Sequence, residues 1–408
     1  MSLQRLDAGL ARDIARLKEE GRAKAPERVI VDYMPAQGAR GPRYKLSGQG
    51  DQPFLRMNSN SYMSLSHHPR MLEAADKAAH VFGVGPGAVR FIDGTFHHHI
   101  ELEHRIAAFM GRPAAKIFNS AYTTNLGLAL SIQNKQTYWI GDQLNHNCII
   151  RAMRIANVPR HHKAIYPHND MDGLKQCLEA VPEGIDRVIV ITDGVFSMRG
   201  DTAPLQTINA LVAPHRDRFA EGLITVADDS HGVAAFGETG RGTEEIEGAQ
   251  VDVVIGTFGK GFGVNGGFVV GSETLIEAIR QKADTYIYTN PLSVADCAAA
   301  IEAVDIVDSD EGRALLQTSR ARIAQFRAGL ERLGLESIPG EHPVVPLMVR
   351  DGDKTVQLVN DLFERGILVI GLRYPVVPHG DESIRFQINS AHTEADIDEV
   401  LNALEALM

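Results

Sequence analysis

Lys260 has the setting that most invites chemistry. It stands between Gly259 and Gly261, with Gly263 just beyond and Thr257 three residues before it, inside VDVVIGTFGKGFGVNGGFVVG (251–271). Apolar runs flank this loop, Val251 to Ile255 (broken by Asp252) and Phe268 to Val270, and they read as neighbouring strands. A lysine on a tight, glycine-lined turn between buried strands has little room to swing into water. Desolvation lowers its pKa and leaves an amine able to form a Schiff base. The plain alternative is a surface lysine in a flexible loop. A P-loop does not fit, because Gly261 stands where GxxxxGK[ST] requires Ser or Thr.

A second group lies upstream. The apolar run LITVA (223–227) ends in Asp228-Asp229-Ser230-His231. A carboxylate at the end of a buried strand needs a partner to offset its desolvation. That partner is either the following turn, which Asp228 would cap, or a protonated ring nitrogen of a bound cofactor. With an imine-forming lysine on the next strand, the second reading is the more economical. Pyridoxal phosphate requires such a set: a lysine, an acid on the pyridine nitrogen, an aromatic cover and donors for the phosphate.

These residues need a frame. Apolar runs at Ala115–Asn119, Thr137–Gly141, His162–Tyr166, Arg187–Thr192, Leu223–Ala227, Val251–Gly256 and Gly267–Val270 alternate with helical stretches such as Asp172–Val181 and Pro204–Ala213. Seven strands with crossover helices predict an α/β fold built on a mostly parallel sheet covered on both faces. Ligands on such sheets bind at the carboxyl ends of the strands. The polar residues that stand out fall at those ends: Ser120 and Tyr122, His146, Asp193 and Ser197, Asp228 and His231, Thr257 and Lys260. Beyond Asn290 a long helical stretch leads to a smaller α/β unit with strands near Val344–Val349, Ile367–Gly371 and Ser383–Ile388 and a terminal amphipathic helix. The expected division is an N-terminal helix and arm (1–50), a large cofactor-binding domain (51–288) and a small C-terminal domain (289–408).

Composition narrows the function classes. The chain has 408 residues, is 44% hydrophobic, and carries a net charge of −11, so it presents no global basic field for nucleic acid or an anionic membrane. No apolar run is long enough to span a bilayer, and the N-terminus reads as an amphipathic helix of mixed charge, not a signal peptide. Cys148, Cys177 and Cys297 form no CxxC pair and suit a reducing cytoplasm. His97, His98, His99 and His104 lack metal-ligand spacing, so no metal is expected and they read as the solvated or pocket-rim start of a helix. Arg90 reads as a surface arginine at a helix start, with a place near the acyl donor as the alternative.

Seven blocks in order, NSNSYMSLSHHP, GAVRFIDGTFHHHIELE, LNHNCII, TDGVFSMRGDTAPL, DDSHGVAAFGETGRG, TFGK and IRFQINSAHT, resemble the α-oxoamine synthases, a branch of the fold-type I pyridoxal-phosphate enzymes. Within that family, ITDGVFSMRGD and YPVVPHGDESIRFQINSAHT look most like the 2-amino-3-ketobutyrate CoA ligases (glycine C-acetyltransferases), and GTFHHHIELE looks equally like the serine palmitoyltransferases. The resemblance implies the fold-type I transferase fold and a set of roles. Lys260 would hold the cofactor aldehyde, Asp228 the pyridine nitrogen, and His231 and Ser197 the phenolic oxygen. His146 would stack on the ring. The amides of Ala121 and Tyr122, with the Thr257 hydroxyl, would cradle the phosphate, joined by Thr289 and Asn290 of a second subunit in a homodimer. Arg385 and Asn60 would bind the substrate carboxylate.

The implied reaction is a C-acyl transfer. A small amino acid (glycine, alanine or serine) condenses with an acyl-CoA, with Lys260 as general base and His231 and His146 beside the reacting atoms. The alternatives are a decarboxylating condensation like that of serine palmitoyltransferase or 8-amino-7-oxononanoate synthase, or another fold-type I activity such as an aminotransferase or lyase. A cofactor-free regulatory subunit is a third class, opposed by the presence of Lys260, Asp228 and His231 together. Three departures bear on the acyl donor: Gly259 where many relatives have Ser, Asn147-Cys148 after the stacking His, and Gly85-Pro86-Gly87.

Overall fold

The structure, a computed structural model, describes residues 2–408. Seven strands, β1 (Ala114–Phe118), β2 (Thr137–Asp142), β3 (Lys163–Tyr166), β4 (Arg187–Asp193), β5 (Leu223–Asp228), β6 (Val253–Thr257) and β7 (Gly267–Gly271), make one sheet in the order β1-β7-β6-β5-β4-β2-β3. Neighbours are parallel except around β7, which runs antiparallel to both β1 and β6. Strand residues alternate between two apolar layers, as the pleat dictates. Leu223 and Ala227 of β5 face one layer with Leu102, Ile106, Val304 and Val307. Val226 faces the other, with Leu128, Ile149, Ile276 and Ile279. This is the helix-covered, doubly buried sheet that the near-continuous apolar strands predict, and it is the arrangement the resemblance implies.

A second sheet of three antiparallel strands, β8 (Val344–Met348), β9 (Ile370–Leu372) and β10 (Ser383–Gln387), runs in the order β8-β10-β9. It packs on the helices Asp310–Arg332, Gly352–Glu364 and Glu394–Glu405 through Phe326, Leu362, Phe386, Ile397 and Leu404. The expected strand Ile367–Gly371 is two strands. Ile367–Leu368 pairs in parallel with Leu55–Arg56, and after Val369 the chain changes partner and joins β10. At β6 the expected start, Val251, lies outside the strand. Asp252 turns aside to accept from the Thr225 amide at 2.7 Å and from Arg216 at 2.9 Å.

The helix Ser2–Glu19 buries none of its side chains, and Leu3, Leu6, Leu10, Ile14 and Leu17 stand exposed along it. Among the described residues no helix is long and apolar enough to cross a membrane.

Two expectations are corrected. Arg90 is buried, not at the surface: it donates to Thr95 Oγ1 at 3.0 Å and to Glu103 at 3.1 Å, and Glu103 also takes Lys116 at 2.8 Å. His99 is buried and not solvated. Its Nδ1 accepts from the Phe96 amide and its Nε2 donates to the Leu292 carbonyl, both at 2.9 Å, so both ring nitrogens are committed.

Candidate active site

The site lies where β1, β2, β4, β5 and β6 reach their carboxyl ends. Asp193 and Asp228 end β4 and β5 side by side in register. Asp228 is clamped: Asn125 donates to its Oδ2 at 2.6 Å, and the Ser230 amide donates to Oδ1 at 3.1 Å. The carboxylate therefore does cap its own turn, and it also faces a cleft lined with Lys260, His146, Cys148, Ser197 and His231. Asp193 accepts from the His146 amide at 3.0 Å, which positions the loop after β2. Burial, and then the neighbouring Asp228, push the Asp193 carboxyl well above the usual carboxylate range.

Lys260 sits in the hairpin turn between β6 and β7. A Cβ on Gly261 would meet the Ala234 carbonyl oxygen at 2.4 Å, so only glycine lets the turn lie this close to the chain after β5. Phe258, Phe262 and Phe268, all buried, anchor the turn from below. Burial lowers the Lys260 pKa to about 8, against the pull of Asp228 and Asp193 in the other direction. A substantial fraction of the amine is therefore neutral near physiological pH, as a nucleophile requires.

His231 is buried, and Tyr62 Oη lies 2.7 Å from its Nδ1. Desolvation first, then the nearby Lys260 and Arg385 charges, hold the ring neutral. The Tyr62 hydroxyl also donates to Asn60 Oδ1 at 3.2 Å, so one oxygen ties the ring to the residue that also holds Arg385. His342 Nε2 donates to the His231 carbonyl at 2.9 Å and fixes the backbone. His146 is exposed on one side, while its Nδ1 lies 2.9 Å from Cys148 Sγ. That thiol is buried and 3.6 Å from Asp228 Oδ2, and burial raises its pKa. Cys148 thus lies beneath His146, against the acid at the floor of the cleft.

Ala121 and Tyr122 open the helix Ala121–Ile132, whose first turn has amides without intrahelical partners. Thr257 lies beneath the Lys260 turn, where its Oγ1 donates to the Gly266 carbonyl at 2.8 Å and accepts from the Gly259 amide at 3.1 Å. Arg385, on β10, adjoins the cleft: its Nη1 donates to the Ser197 carbonyl at 2.7 Å, and its Nη2 to Asn60 Oδ1 at 3.2 Å. Thr289 and Asn290 do not join the cleft. Thr289 Oγ1 donates to the Thr285 carbonyl at 2.7 Å, and the Asn290 carbonyl accepts from Asn119 at 2.7 Å.

Three residues that sequence reasoning passed over belong here. Tyr62 and His342 sit far along the chain from His231, and nothing local points to either. Asn125 did carry a signal: it is an amide side chain one turn after Ala121, on the face of the helix that also carries Leu128, Ala129 and Ile132.

The donor set fits pyridoxal phosphate. An amine of lowered pKa, a clamped carboxylate and a helix N-terminus meet in one cleft, and Ser230 Oγ, which lines it, is buried without a hydrogen-bond partner. The comparisons with known proteins agree. The family described as aminotransferase class I and II matches residues 52–404. An 8-amino-7-oxononanoate synthase of Citrifermentans bemidjiense is 36% identical over 95% of this chain and 96% of its own. A mitochondrial 2-amino-3-ketobutyrate coenzyme A ligase of Bos taurus is 34% identical over 98% of this chain and 92% of its own. A serine palmitoyltransferase of S. paucimobilis, solved with bound PLP, superposes with a TM-score of 0.85 at 27% identity, covering 98% of this chain and 96% of its own. The expected special likeness to the ketobutyrate ligases is therefore matched by the 8-amino-7-oxononanoate synthases. On a match that spans nearly its whole length, this chain belongs to the aminotransferase class I and II family and, within it, to the pyridoxal-phosphate-dependent acyltransferases of the α-oxoamine synthase branch.

Proposed function

We propose that the cleft joins the α-carbon of a small amino acid (glycine, alanine or serine) to the acyl group of a CoA thioester, with release of CoA. The names borne by the relatives tip the reading toward the decarboxylating form of this condensation, which the sequence left as its alternative. In this reading residues 1–50 are an arm, 51–288 the cofactor-holding domain and 289–408 the small domain, and the enzyme acts in the cytoplasm.

Lys260 would hold the cofactor by its aldehyde, Asp228 by the pyridine nitrogen, and His231 Nε2 with Ser197 by the phenolic oxygen. His146 would cover the ring. The Ala121 and Tyr122 amides with the Ser230 and Thr257 hydroxyls would take the phosphate, and Thr289 with Asn290 from a second copy would complete the set, which makes the working unit a homodimer. When bound, the cofactor supplies a sink for the electrons left behind as a bond at the amino acid's α-carbon breaks. Lys260, once free, takes the α-proton as general base. Asp228, fixed by Asn125 and the Ser230 amide, keeps its negative charge where a ring cation needs it. Asn60 and the Ser197 carbonyl hold Arg385 to receive the carboxylate.

Arg385 is the observation that carries this reading. Its guanidinium is 9% exposed, anchored at both terminal nitrogens, and has a buried Nε without a partner. It is also near enough to Lys260 to lower that amine's proton affinity. A fork held this way suits a carboxylate bound beside the reacting amine. The test is incubation of the purified holoenzyme with carboxyl-labelled glycine, alanine or serine and an acyl-CoA. Free CoA and labelled CO2 are expected together. Absence of CoA release with every pair, or keto acid formed without an acyl donor, would return the protein to the aminotransferase or lyase reading.

A further inference from the structure

Ser197 borders more than the cleft. The same residue lines a second chamber, of about 130 Å³, between the loop after β4, strand β8 and the segment 376–381. Its walls are apolar: Phe196, Met198, Ile338, Met348, Val376 and Val377. Methionine side chains adapt to flexible aliphatic ligands.

Its charged lining residues are Arg199 and Asp381, which stand together. Arg199 Nε donates to Asp201 Oδ2 at 3.0 Å, and its Nη1 lies 3.6 Å from Asp381 Oδ2. The arginine is therefore already paired with two carboxylates, one of them shared with His168, and the chamber's lining offers no unpaired cation to a ligand that ends in a negative charge. A carboxylate brought into it would meet Asp381 and lose its hydration without gaining a partner.

We propose that this chamber takes the acyl tail of the donor thioester, and that the tail is an uncharged aliphatic chain longer than acetyl. The proposal rests on the acyl-transfer reading and narrows it, because it sets this chain apart from an enzyme whose acyl donor ends in a carboxylate. The tail is assigned here because the chamber adjoins the cleft at Ser197, which lines both. The amino acid's carboxylate would be held next door by Arg385, which binds the Ser197 carbonyl. Each methylene that leaves water for such walls strengthens binding about fourfold.

The test uses the holoenzyme and non-reactive thioether analogues of the donor, S-ethyl-CoA, S-octyl-CoA and S-(6-carboxyhexyl)-CoA, in binding calorimetry, alongside CoA release from acetyl-, octanoyl- and 6-carboxyhexanoyl-CoA. The expected result is S-octyl-CoA at least about tenfold tighter than either of the others, with octanoyl-CoA the preferred substrate. Filling the chamber by Met348→Trp, or by Val377→Trp in the loop should the first variant fold poorly, is expected to abolish that preference and leave S-ethyl-CoA binding unchanged. Equal binding of the three analogues, preference for the carboxylated chain, or a preference that survives both substitutions would overturn the proposal. So would discrimination that follows the amino acid's side chain instead of the donor. Borohydride reduction of the same preparation separates the two levels: a cofactor tag on Lys260 with no chain-length preference sinks the chamber alone, and no tag on Lys260 sinks the acyl-transfer reading with it.

Discussion

The hydroxyl of Tyr62 and Nδ1 of His231 lie 2.7 Å apart across 169 residues of sequence. The same hydroxyl reaches Asn60 Oδ1 at 3.2 Å, so it holds the imidazole in place and links it to the residue that steadies Arg385. Replacing Tyr62 with Phe keeps the shape and removes the bond, so the fold should lose only about 1 kcal/mol. Turnover should fall by about tenfold or more, because the imidazole of His231 then loses the bond that holds its orientation. Thermal melting and kcat measured on the same sample check this. A Tyr62→Phe enzyme with unchanged kcat would leave the pair a packing feature.

Lys260 has a pKa lowered to about 8 by burial, with Asp228 pulling it upward. Raising the pH through that value neutralises the amine. The rate at which apoprotein takes up the cofactor covalently should therefore rise through about pH 8 and level off above it. Asp228→Asn removes the upward pull and should move the midpoint to lower pH, besides weakening the cofactor's hold. Stopped-flow absorbance across a pH series reads both, and a midpoint near the ordinary lysine value would show that the turn is open to water.

Arg385→Ala removes the anchored fork beside Ser197 and Asn60. KM for the amino acid should rise by at least about tenfold, with a smaller change in KM for the acyl donor. Arg385→Lys should recover only part of the loss, since an ammonium cannot engage a carboxylate in two parallel bonds. An unaltered amino-acid KM would remove Arg385 from the substrate site.

His168 bridges Asp142 (3.1 Å) and Asp201 (3.0 Å) at the edge of the large sheet. Burial opposes its charge, but the hydrogen bonds and charges of the two acids outweigh this and raise its pKa to about 9. A histidine raised above its unfolded value of about 6.5 stabilises fully below that pH, and the contribution is lost as pH climbs through about 9. At most it amounts to roughly 3 kcal/mol. The melting temperature of His168→Ala should fall well below that of the native protein at about pH 6, and the gap should close near pH 10. A gap that is constant with pH would mean that the ring packs there uncharged.

Much of this arrangement was legible in the chain. Each apolar run of the large sheet became a strand within a residue or two, because runs bounded by polar strand ends leave little freedom in register. The polar residues at those ends gathered in one cleft, since parallel strands all point their carboxyl ends the same way. The hairpin of Lys260 could be read because both its strands are local. Contacts made across the fold were not legible. Asn125 meets Asp228 over 103 residues, and Tyr62 meets His231 over a longer span. Arg90 looked like a surface arginine because its partner Glu103 on the next helix, which it shares with Lys116 of β1, is brought to it only by packing. The partner change at Val369 was hidden for a similar reason: one apolar run serves two sheets, and hydrophobicity does not record which.

The leucine stripe along Ser2–Glu19 has a thermal consequence. An eighteen-residue helix with every side chain in water is held by little besides its own backbone bonds, which leaves it marginal on its own. Heating a dilute solution should unwind this segment well before the rest of the chain, so the far-ultraviolet signal would decline early while the aromatic signal from the interior stayed flat. Concentrating the protein until two copies meet along those leucines would merge the two transitions into one.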